Sequence, residues 1–156
     1  MEEGLQMLDI KHEKLFSEIL NSVSTNSDFK MSRNFIQHGS TSICTHSIMV
    51  AYQSLRIAEK SGAGISYREL IRGALLHDYF LYDWHDKEHN HKRPHGFFHP
   101  SAALANAERD FELTDIERDI IKKHMFPLTP VPPRYKESWI VCLADKICSA
   151  KETINR

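Results

Sequence analysis

The sequence predicts an all-α protein with a single domain, and three observations support this prediction. Apolar residues recur at the helical spacing in several segments, which glycine, proline or polar residues interrupt. No run of residues shows the alternation that is typical of strands. The 156 residues match one compact domain and include no linker long enough to divide it. We therefore expect a bundle of about six or seven helices over residues 1–156.

The first three predicted helices lie in the N-terminal half of the chain. Apolar positions at helical spacing predict helices over residues 5–23 and 43–60, and a Ser-Gly-Ala-Gly stretch ends the second. Ser66 followed by Glu69 has the pattern of a capping box. We expect it to open a third helix that runs to about Tyr79.

The remaining helices follow a polar, histidine-rich segment at residues 83–98, which we interpret as a loop. Pro100 suits the first turn of a helix because its missing N–H is not needed there. Thr114 and Glu117 form another capping-box pattern. The predicted C-terminal helices cover residues 100–110, 114–124 and 137–153.

The composition excludes several classes of protein. A net charge of −1 gives no general attraction to nucleic acid or to an anionic membrane, so nucleic-acid binding is disfavoured. No apolar run reaches membrane length, and the charged N-terminus does not resemble a signal peptide. Cys44, Cys142 and Cys148 show no C-x-x-C spacing, so we expect small core residues in a reduced, cytoplasmic protein.

Histidine is abundant: ten of the 156 residues are histidine. Four histidines and two aspartates fall at inward-facing positions; they are His46, His77, Asp78, His99, His124 and Asp145. This mixture of imidazole and carboxylate suits Fe, Mn, Zn, Co or Ni better than Mg or Ca. Six ligands exceed one tetrahedral site but fit two metal ions with a carboxylate between them. We expect two divalent transition metal ions, iron first among them, bridged by Asp78 and holding a water.

Each of these residues also has an ordinary structural explanation. A single histidine on an apolar face is more often a core residue that bonds a carbonyl oxygen, and His12 has such a position without being a predicted ligand. His95 is an alternative to His99 as the third histidine ligand. The loop histidines lie in polar surroundings, and we expect them to be solvated; they are His85, His89 and His91.

The order of the six residues resembles the motif of the HD-domain superfamily of metal-dependent phosphohydrolases. The pattern is H…HD…H…H…D, and its local contexts read HSIMVA, GALLHD, HPSAALANA and LADKICSAKE. The similarity covers roughly residues 35–155 and is closest to short bacterial stand-alone HD proteins. It implies an all-α fold with the metal site inside the helix bundle. It also implies a minimal one-metal set, which is His46, His77, Asp78 and Asp145.

His99 and His124 resemble the additional ligands of the two-metal subgroup of that superfamily. The subgroup includes phosphodiesterases of cyclic nucleotides and cyclic dinucleotides, and mixed-valence di-iron oxygenases similar to myo-inositol oxygenase. The chain departs from two of its signatures. HDYFLYDWH lacks the lysine of H-D-I-G-K, and KHMFPLTPVPP replaces the H-H-E…G-Y-P signature. These departures leave the substrate open.

The function expected from these residues is hydrolysis of a phosphate monoester or diester in a small phosphorylated or nucleotide-like molecule. Asp78 would bridge the two metals. Asp145 would bind one metal and accept a hydrogen bond from the nucleophile. His38, ahead of the first ligand, would donate to the leaving group or contact the substrate, although a surface position is an equal alternative.

Further residues are candidates for contact with the substrate. Lys146, Arg93 and Arg134 offer positive charge for a phosphate, although each could instead be a solvated surface charge. His95 is another candidate contact. Aromatic residues in and beside the loop could stack on a base or sugar, with core packing favoured for the last two; they are Tyr82, Trp84, Phe97 and Phe98.

Two other classes of function fit the same residues. A di-iron oxygenase would use all six ligands and O₂ to cleave a C–H or C–P bond. A non-catalytic module would bind a metal, nucleotide or phosphate without turnover. The expected partner is a small molecule rather than a membrane, and a homodimer is possible.

Overall fold

The computed structural model describes residues 7–25, 27–62, 64–81 and 95–154. Within these ranges the protein consists of seven α-helices, one 3-10 turn at Ser32–Asn34 and one small antiparallel sheet. The all-α prediction is therefore confirmed. The elements are α1 (Ile10–Ser24), α2 (Ser27–Met31), β1 (Ile36–His38), β2 (Thr41–Ser42), α3 (Ile43–Ser61), α4 (Tyr67–Leu76), α5 (His95–Asp110), α6 (Asp115–Lys123) and α7 (Lys136–Ile154).

The centre of the fold is formed by α3, α4, α6 and α7, which pack on one another through apolar side chains. Helix α1 packs on α4 and helix α5 packs on α6. The three cysteines are buried and unpaired, as predicted. None of the described helices is long and apolar enough to cross a membrane. The core side chains include Val50, Leu55, Leu75, Ile120 and Val141.

Helix α1 begins later than its apolar pattern predicts. The predicted start at residue 5 is wrong, because residues 7–9 are not helical and Asp9 caps the helix. The Asp9 carboxylate accepts a hydrogen bond from the Lys11 N–H at 2.8 Å. An N-cap of this kind satisfies a donor that the first turn leaves free, so the cap rather than the apolar spacing sets the boundary.

Helix α4 begins after Ser66 as predicted, but the Ser66–Glu69 capping box does not form. Glu137 from α7 accepts a hydrogen bond from the Ser66 N–H at 2.8 Å. Glu69 instead accepts a hydrogen bond from the Thr114 hydroxyl at 3.1 Å. Tertiary partners have therefore replaced the local box. The second predicted box is confirmed, since Thr114 and Glu117 bond each other's N–H groups.

Two helix ends near the histidine-rich segment differ from the prediction. Helix α4 ends at Leu76 rather than at about Tyr79, so His77 and Asp78 lie in the turn that follows. Helix α5 starts at His95, inside the predicted loop, and Pro100 lies within it. Proline removes one intrahelical hydrogen bond but has a helical φ, and the helix continues through it. His99, the residue before Pro100, is therefore part of α5.

The small sheet was missed by the sequence prediction, because strands of two and three residues are too short to show alternation. Strand β1 pairs with β2 through a tight turn in which Gly39 has φ of +57°. This positive φ is accessible to glycine without steric cost. The hairpin leads directly into α3 and presents Gln37 and His38 beside the helix bundle.

Helices α4 and α6 approach closely at Gly73. A Cβ atom built on Gly73 would lie 2.5 Å from Cδ1 of Ile120 and 3.2 Å from its Cβ and Cγ2. The missing side chain therefore allows the two helices to approach closely. Both helices lead to candidate ligands, because α4 ends just before His77 and α6 ends just before His124.

Candidate metal centre

The fold brings the six predicted ligands together from five segments. His46 comes from α3, His99 from α5 and Asp145 from α7, while the other three follow the ends of α4 and α6. All six side chains are buried, with exposed fractions between 0% and 7%. Such burial is costly for polar groups unless they are hydrogen-bonded, paired or bound to a metal.

Four of these residues form a first group. His46 Nε2 lies 2.9 Å from Asp145 Oδ1 and 3.6 Å from Asp78 Oδ2. His77 Nε2 lies 3.4 Å from the same Asp78 oxygen and 3.5 Å from Asp145 Oδ1. Ligand atoms about 2.1 Å from one tetrahedral ion lie about 3.4 Å from each other. The spacing of this group therefore suits one transition metal ion.

The other two histidines form a second group with the opposite oxygen of Asp78. Asp78 Oδ1 lies 3.1 Å from His99 Nε2 and 3.2 Å from His124 Nε2. The two nitrogen atoms are 2.8 Å apart. Ligand atoms about 2.1 Å from an ion and at right angles lie about 3.0 Å from each other. This triangle has the dimensions of one face of a six-coordinate site.

Asp78 is the residue that the two groups share. Its Oδ2 faces the group of His46, His77 and Asp145, and its Oδ1 faces His99 and His124. A carboxylate whose two oxygens face different ligand groups is the arrangement expected of a bridging ligand. The Gln37 amide also donates a hydrogen bond to Oδ2, which restrains this carboxylate from the side of β1.

The other ring nitrogens of three histidines have acceptors that fix the orientation of the rings. His77 Nδ1 lies 2.6 Å from the Ala74 carbonyl oxygen, and His124 Nδ1 lies 2.8 Å from the Ile121 carbonyl oxygen. A carbonyl oxygen only accepts, so Nδ1 carries the proton and Nε2 offers a lone pair when the ring is neutral. Outer partners of this kind are typical of metal-binding histidines.

His46 has a carboxylate as its outer partner. Both oxygens of Glu152 lie 2.9 Å from His46 Nδ1. Glu152 is itself buried, on α7 two turns after Asp145. A carboxylate behind a histidine raises the basicity of the ring and fixes its tautomer. The sequence analysis missed this residue, although its spacing from Asp145 and Cys148 places it on the same helix face.

The electrostatics of the cluster keep its carboxylates ionised. Burial would raise the pKa of Asp78, but His77, His124 and His99 outweigh burial and hold that pKa well below its usual range. Burial likewise works against ionised Asp145, whose pKa the nearby His46 and His77 hold well below normal. Two ionised carboxylates inside a bundle offer anionic oxygens to a cation that displaces the protons of the neighbouring histidines.

The pKa values of the histidines differ between the two ligand groups. Burial would lower the pKa of His46, but hydrogen bonds with Asp145 and Glu152 raise it to about 9. Burial likewise opposes protonation of His77, yet Asp78 and Asp145 raise its pKa well above normal. Burial lowers the pKa of His124, which Asp78 opposes only in part. The carboxylates that attract protons to the first group would also attract a divalent cation.

Two polar atoms at the centre have no conventional hydrogen bond within the part of the chain that the structure describes. They are His77 Nε2 and Asp78 Oδ1, and both are buried. An unsatisfied buried polar atom is expensive, and these two point toward different ligand groups. The donor set, the tautomers and the two unsatisfied atoms therefore all fit divalent metal ions.

The segment after Asp78 connects α4 to α5. The Tyr79 hydroxyl donates to Asp110 at 2.7 Å, and the Asn106 amide donates to the Tyr79 carbonyl oxygen at 3.0 Å. Asp110 and Asn106 both lie on α5. These two hydrogen bonds therefore hold that helix against the turn that contains Asp78. This arrangement brings His99, on the same helix, to the carboxylate.

A cavity of about 720 Å³ opens onto this candidate metal centre. Asp78, His99 and Asp145 form its inner end. His38 lies beside them, and its Nε2 is 3.2 Å from the Ser149 hydroxyl, which lies 3.3 Å from Asp145 Oδ1. Burial and the nearby His46 lower the pKa of His38, so this ring is mostly neutral at neutral pH.

The predicted cations are placed differently. Lys146 lines the cavity, with its Nζ 3.1 Å from Cys142 Sγ and 3.4 Å from the His124 carbonyl oxygen. Arg134 does not line the cavity: its N–H bonds Asp119, and its guanidinium lies over the Tyr135 ring.

Several other predicted residues cannot be placed at the site. His95 is the first residue of α5, and its side chain is outside the described structure. The remaining loop candidates also lie outside the described residues; they are Tyr82, Trp84, His85, His89, His91 and Arg93. The preference for core packing of Phe97 and Phe98 is wrong, because they are 45% and 38% exposed. Both precede the buried His99 in α5.

A family comparison agrees with this geometry. The model of the HD domain matches residues 43–150, which is well over half of the chain. The chain belongs to the HD domain family. The match spans all six clustered residues, from His46 on α3 to Asp145 on α7. Searches of curated proteins and of solved structures returned no match. As a member of the HD domain family, the protein has the fold and the buried His/Asp cluster of a metal-dependent hydrolase-type superfamily.

Proposed function

We propose that this HD-domain protein is a phosphohydrolase that cleaves a small phosphate ester at two divalent metal ions. The observation that carries the proposal is the division of the Asp78 carboxylate between two ligand groups. Two metals about 3.5–4 Å apart suit in-line displacement at phosphorus. A single-metal site would leave His99 and His124 without a role in ligation.

The proposed ligands divide between the two ions. His46, His77 and Asp145 would hold one ion, His99 and His124 would hold the other, and Asp78 would bridge them. Bound there, the ions would polarise the phosphoryl group and lower the pKa of a water molecule. Iron, manganese, zinc, cobalt and nickel all accept this mixed donor set.

The residues of the chain would orient the reactants at the inner end of the cavity. Asp145 would accept a hydrogen bond from the attacking water with the oxygen that already faces His46 and Ser149. Lys146 would neutralise a phosphate oxygen from the cavity wall. His38 would contact the ester or its leaving group, since its ring lines the same cavity.

The test is phosphate release from a panel of monoesters and diesters by protein loaded with each metal in turn. Asp78→Asn should abolish release, because removing one charge and one ligating oxygen disrupts both groups. Asp115→Asn is the matched control, since that aspartate side chain is 85% exposed on α6. Oxygen uptake by the iron form with no phosphate release would reject the hydrolase in favour of an oxygenase. Tight phosphate binding without turnover by any metal form would indicate a non-catalytic module.

A further inference from the structure

The cavity at the metal centre has two chemically different sides. Its inner end carries the polar side chains of the site, whereas its outer wall is formed by Met125, Pro127 and Leu128. Leu128 is 47% exposed, although it is a large apolar residue. A substrate that filled this cavity would therefore contact polar groups at one end and apolar groups at the other.

A second cavity of about 430 Å³ lies beside this apolar wall. It shares Pro127 and Lys146 with the first cavity, so the two are neighbours across these residues. Its own walls are apolar and come from α3, the segment after α6, and α7; they include Ile57, Phe126, Trp139 and Leu143. We call this second cavity the Trp139 groove.

The Trp139 groove exposes large apolar side chains to solvent. Trp139 and Leu143 are 47% and 50% exposed, one turn apart on α7. Phe126 packs edge-on against Trp139 with ring centroids 5.4 Å apart, which holds the indole in place. Contiguous exposed apolar side chains, unlike scattered ones, are a feature of ligand-binding grooves.

Lys146 lies at the junction of the two cavities. Among the described residues, the hydrogen-bond partners of its ammonium group are the Cys142 thiol and the His124 carbonyl oxygen. In the described parts of the chain, no carboxylate lies within salt-bridge distance of it. The positive charge is therefore available to an anionic group of a ligand, and its aliphatic stem can cover an apolar one.

We propose that the substrate is an amphiphilic phosphate ester whose alkyl or aryl group passes between Lys146 and Pro127 into the Trp139 groove. This inference rests on the proposed function, because it places the phosphate of the ester at the metal centre. In the reaction a water oxygen bonds to phosphorus, the bond from phosphorus to the alcohol oxygen breaks, and the alcohol leaves with a proton. The apolar alcohol would then lie in an apolar groove, and the inorganic phosphate would remain at the polar end.

Chain length is the first test. Metal-loaded protein is assayed with ethyl, butyl, hexyl and octyl phosphate, and phosphate release gives kcat/KM for each ester. Burial of a methylene group is expected to raise kcat/KM by roughly twofold to fourfold per carbon, mainly through KM. In Trp139→Ala the ratio of kcat/KM for octyl to ethyl phosphate should fall about tenfold.

The matched control is Tyr52→Ala. Tyr52 is another half-exposed aromatic residue, but it packs edge-on against Phe16 of α1 and lines neither cavity. Its substitution should leave the octyl-to-ethyl ratio unchanged. An equal fall of the ratio in both variants would show a general loss of structure and would overturn the assignment of the groove.

Binding is tested separately from turnover by fluorescence. The chain contains two tryptophans, so the part of the emission change that Trp139→Phe removes is assigned to Trp139. Octyl phosphate should shift the Trp139 emission, whereas ethyl phosphate at the same concentration should not. Phosphate release that is independent of chain length, with unchanged Trp139 emission, would refute the inference and leave the proposed function standing. Release from other esters of the monoester and diester panel but from none of these alkyl phosphates would also refute the inference, whereas no release from any ester of that panel would refute the proposed function instead.

Light scattering completes the experiment by testing for a second copy of the chain in the groove. A monomer, or a dimer that Trp139→Ala leaves intact, agrees with a groove that is open to substrate. A dimer that dissociates in Trp139→Ala would show that a protein surface covers the groove, and it would overturn the proposal.

Discussion

Substitution of Gly73 by alanine tests whether close helix packing supports the metal centre. In an exposed helix the change from glycine to alanine stabilises the protein by about 1 kcal/mol, because glycine loses more backbone entropy on folding. At Gly73 the new methyl group would lie 2.5 Å from Cδ1 of Ile120. The Cδ1 methyl group of Ile120 can rotate away, but the contact of 3.2 Å with Cβ of Ile120 can be relieved only by a small shift of one helix against the other.

Overpacking of this kind costs about 1–3 kcal/mol. The cost exceeds the gain in helix propensity, so we expect Gly73→Ala to lower the free energy of unfolding by roughly 1 kcal/mol. Separation of α4 from α6 would also move Asp78 away from His124. At present Asp78 Oδ1 lies 3.2 Å from His124 Nε2. Metal affinity at the second group should therefore fall more than affinity at the first.

The assay is urea unfolding with a double-mutant cycle. Ile120→Val removes the methyl group nearest to the new Cβ, so Gly73→Ala should be less damaging in the Ile120→Val background by about 1 kcal/mol. Gly64→Ala is the control, because a Cβ there meets nothing within 4 Å, and its effect should stay within about 0.5 kcal/mol. Stabilisation by Gly73→Ala, with no coupling to Ile120, would refute the close approach of the two helices.

Three further predictions concern the surroundings of the site. Glu152→Gln should lower metal affinity at the group of His46 by about 10-fold to 100-fold, measured by competition with a chromophoric chelator. Unchanged affinity would show that the Glu152 carboxylate does not affect metal binding by His46. Asp119 accepts hydrogen bonds from Lys123 and two backbone N–H groups; although burial opposes it, these partners lower its pKa. Because the folded-state pKa is the lower one, its stabilisation is present above the unfolded pKa and is lost as pH falls through the folded pKa. Asp119→Asn should thus cost about 2–3 kcal/mol at neutral pH and progressively less in acid, and a loss that does not vary with pH would contradict this. Thr114→Ala should cost about 1 kcal/mol by removing the capping box of α6; an unchanged unfolding midpoint would contradict the box.

The sequence predicts which buried polar residues cluster better than it predicts the boundaries of the elements that carry them. A histidine or aspartate on an apolar helix face remains visible when a helix end shifts by a few residues, because its apolar neighbours identify the buried side. His46 and Asp145 are cases of this kind, in the interiors of α3 and α7. His99 was also found, although its helix begins at His95 instead of at Pro100.

The features that the sequence did not predict depend on contacts between distant residues. The Ser66–Glu69 pattern forms no capping box because Glu137, 71 positions away, binds the Ser66 N–H. Gln37 reaches Asp78 only because a two-stranded turn, too short to show a pattern, directs it inward. Glu152 had a visible signal, since it follows Asp145 by two helical turns. Its pairing with His46 nevertheless requires α3 and α7 to be packed together.

The most direct test of the account is the metal content of the protein, purified without chelator or nickel affinity resin and measured by elemental analysis. Because the two oxygens of Asp78 face different ligand groups, we predict about two transition metal ions per chain. We also predict about one ion per chain in His124→Ala, since only the first ligand group would remain intact. One ion or fewer per chain in the unmodified protein, even after reconstitution with iron, manganese or zinc, would contradict the two-metal centre.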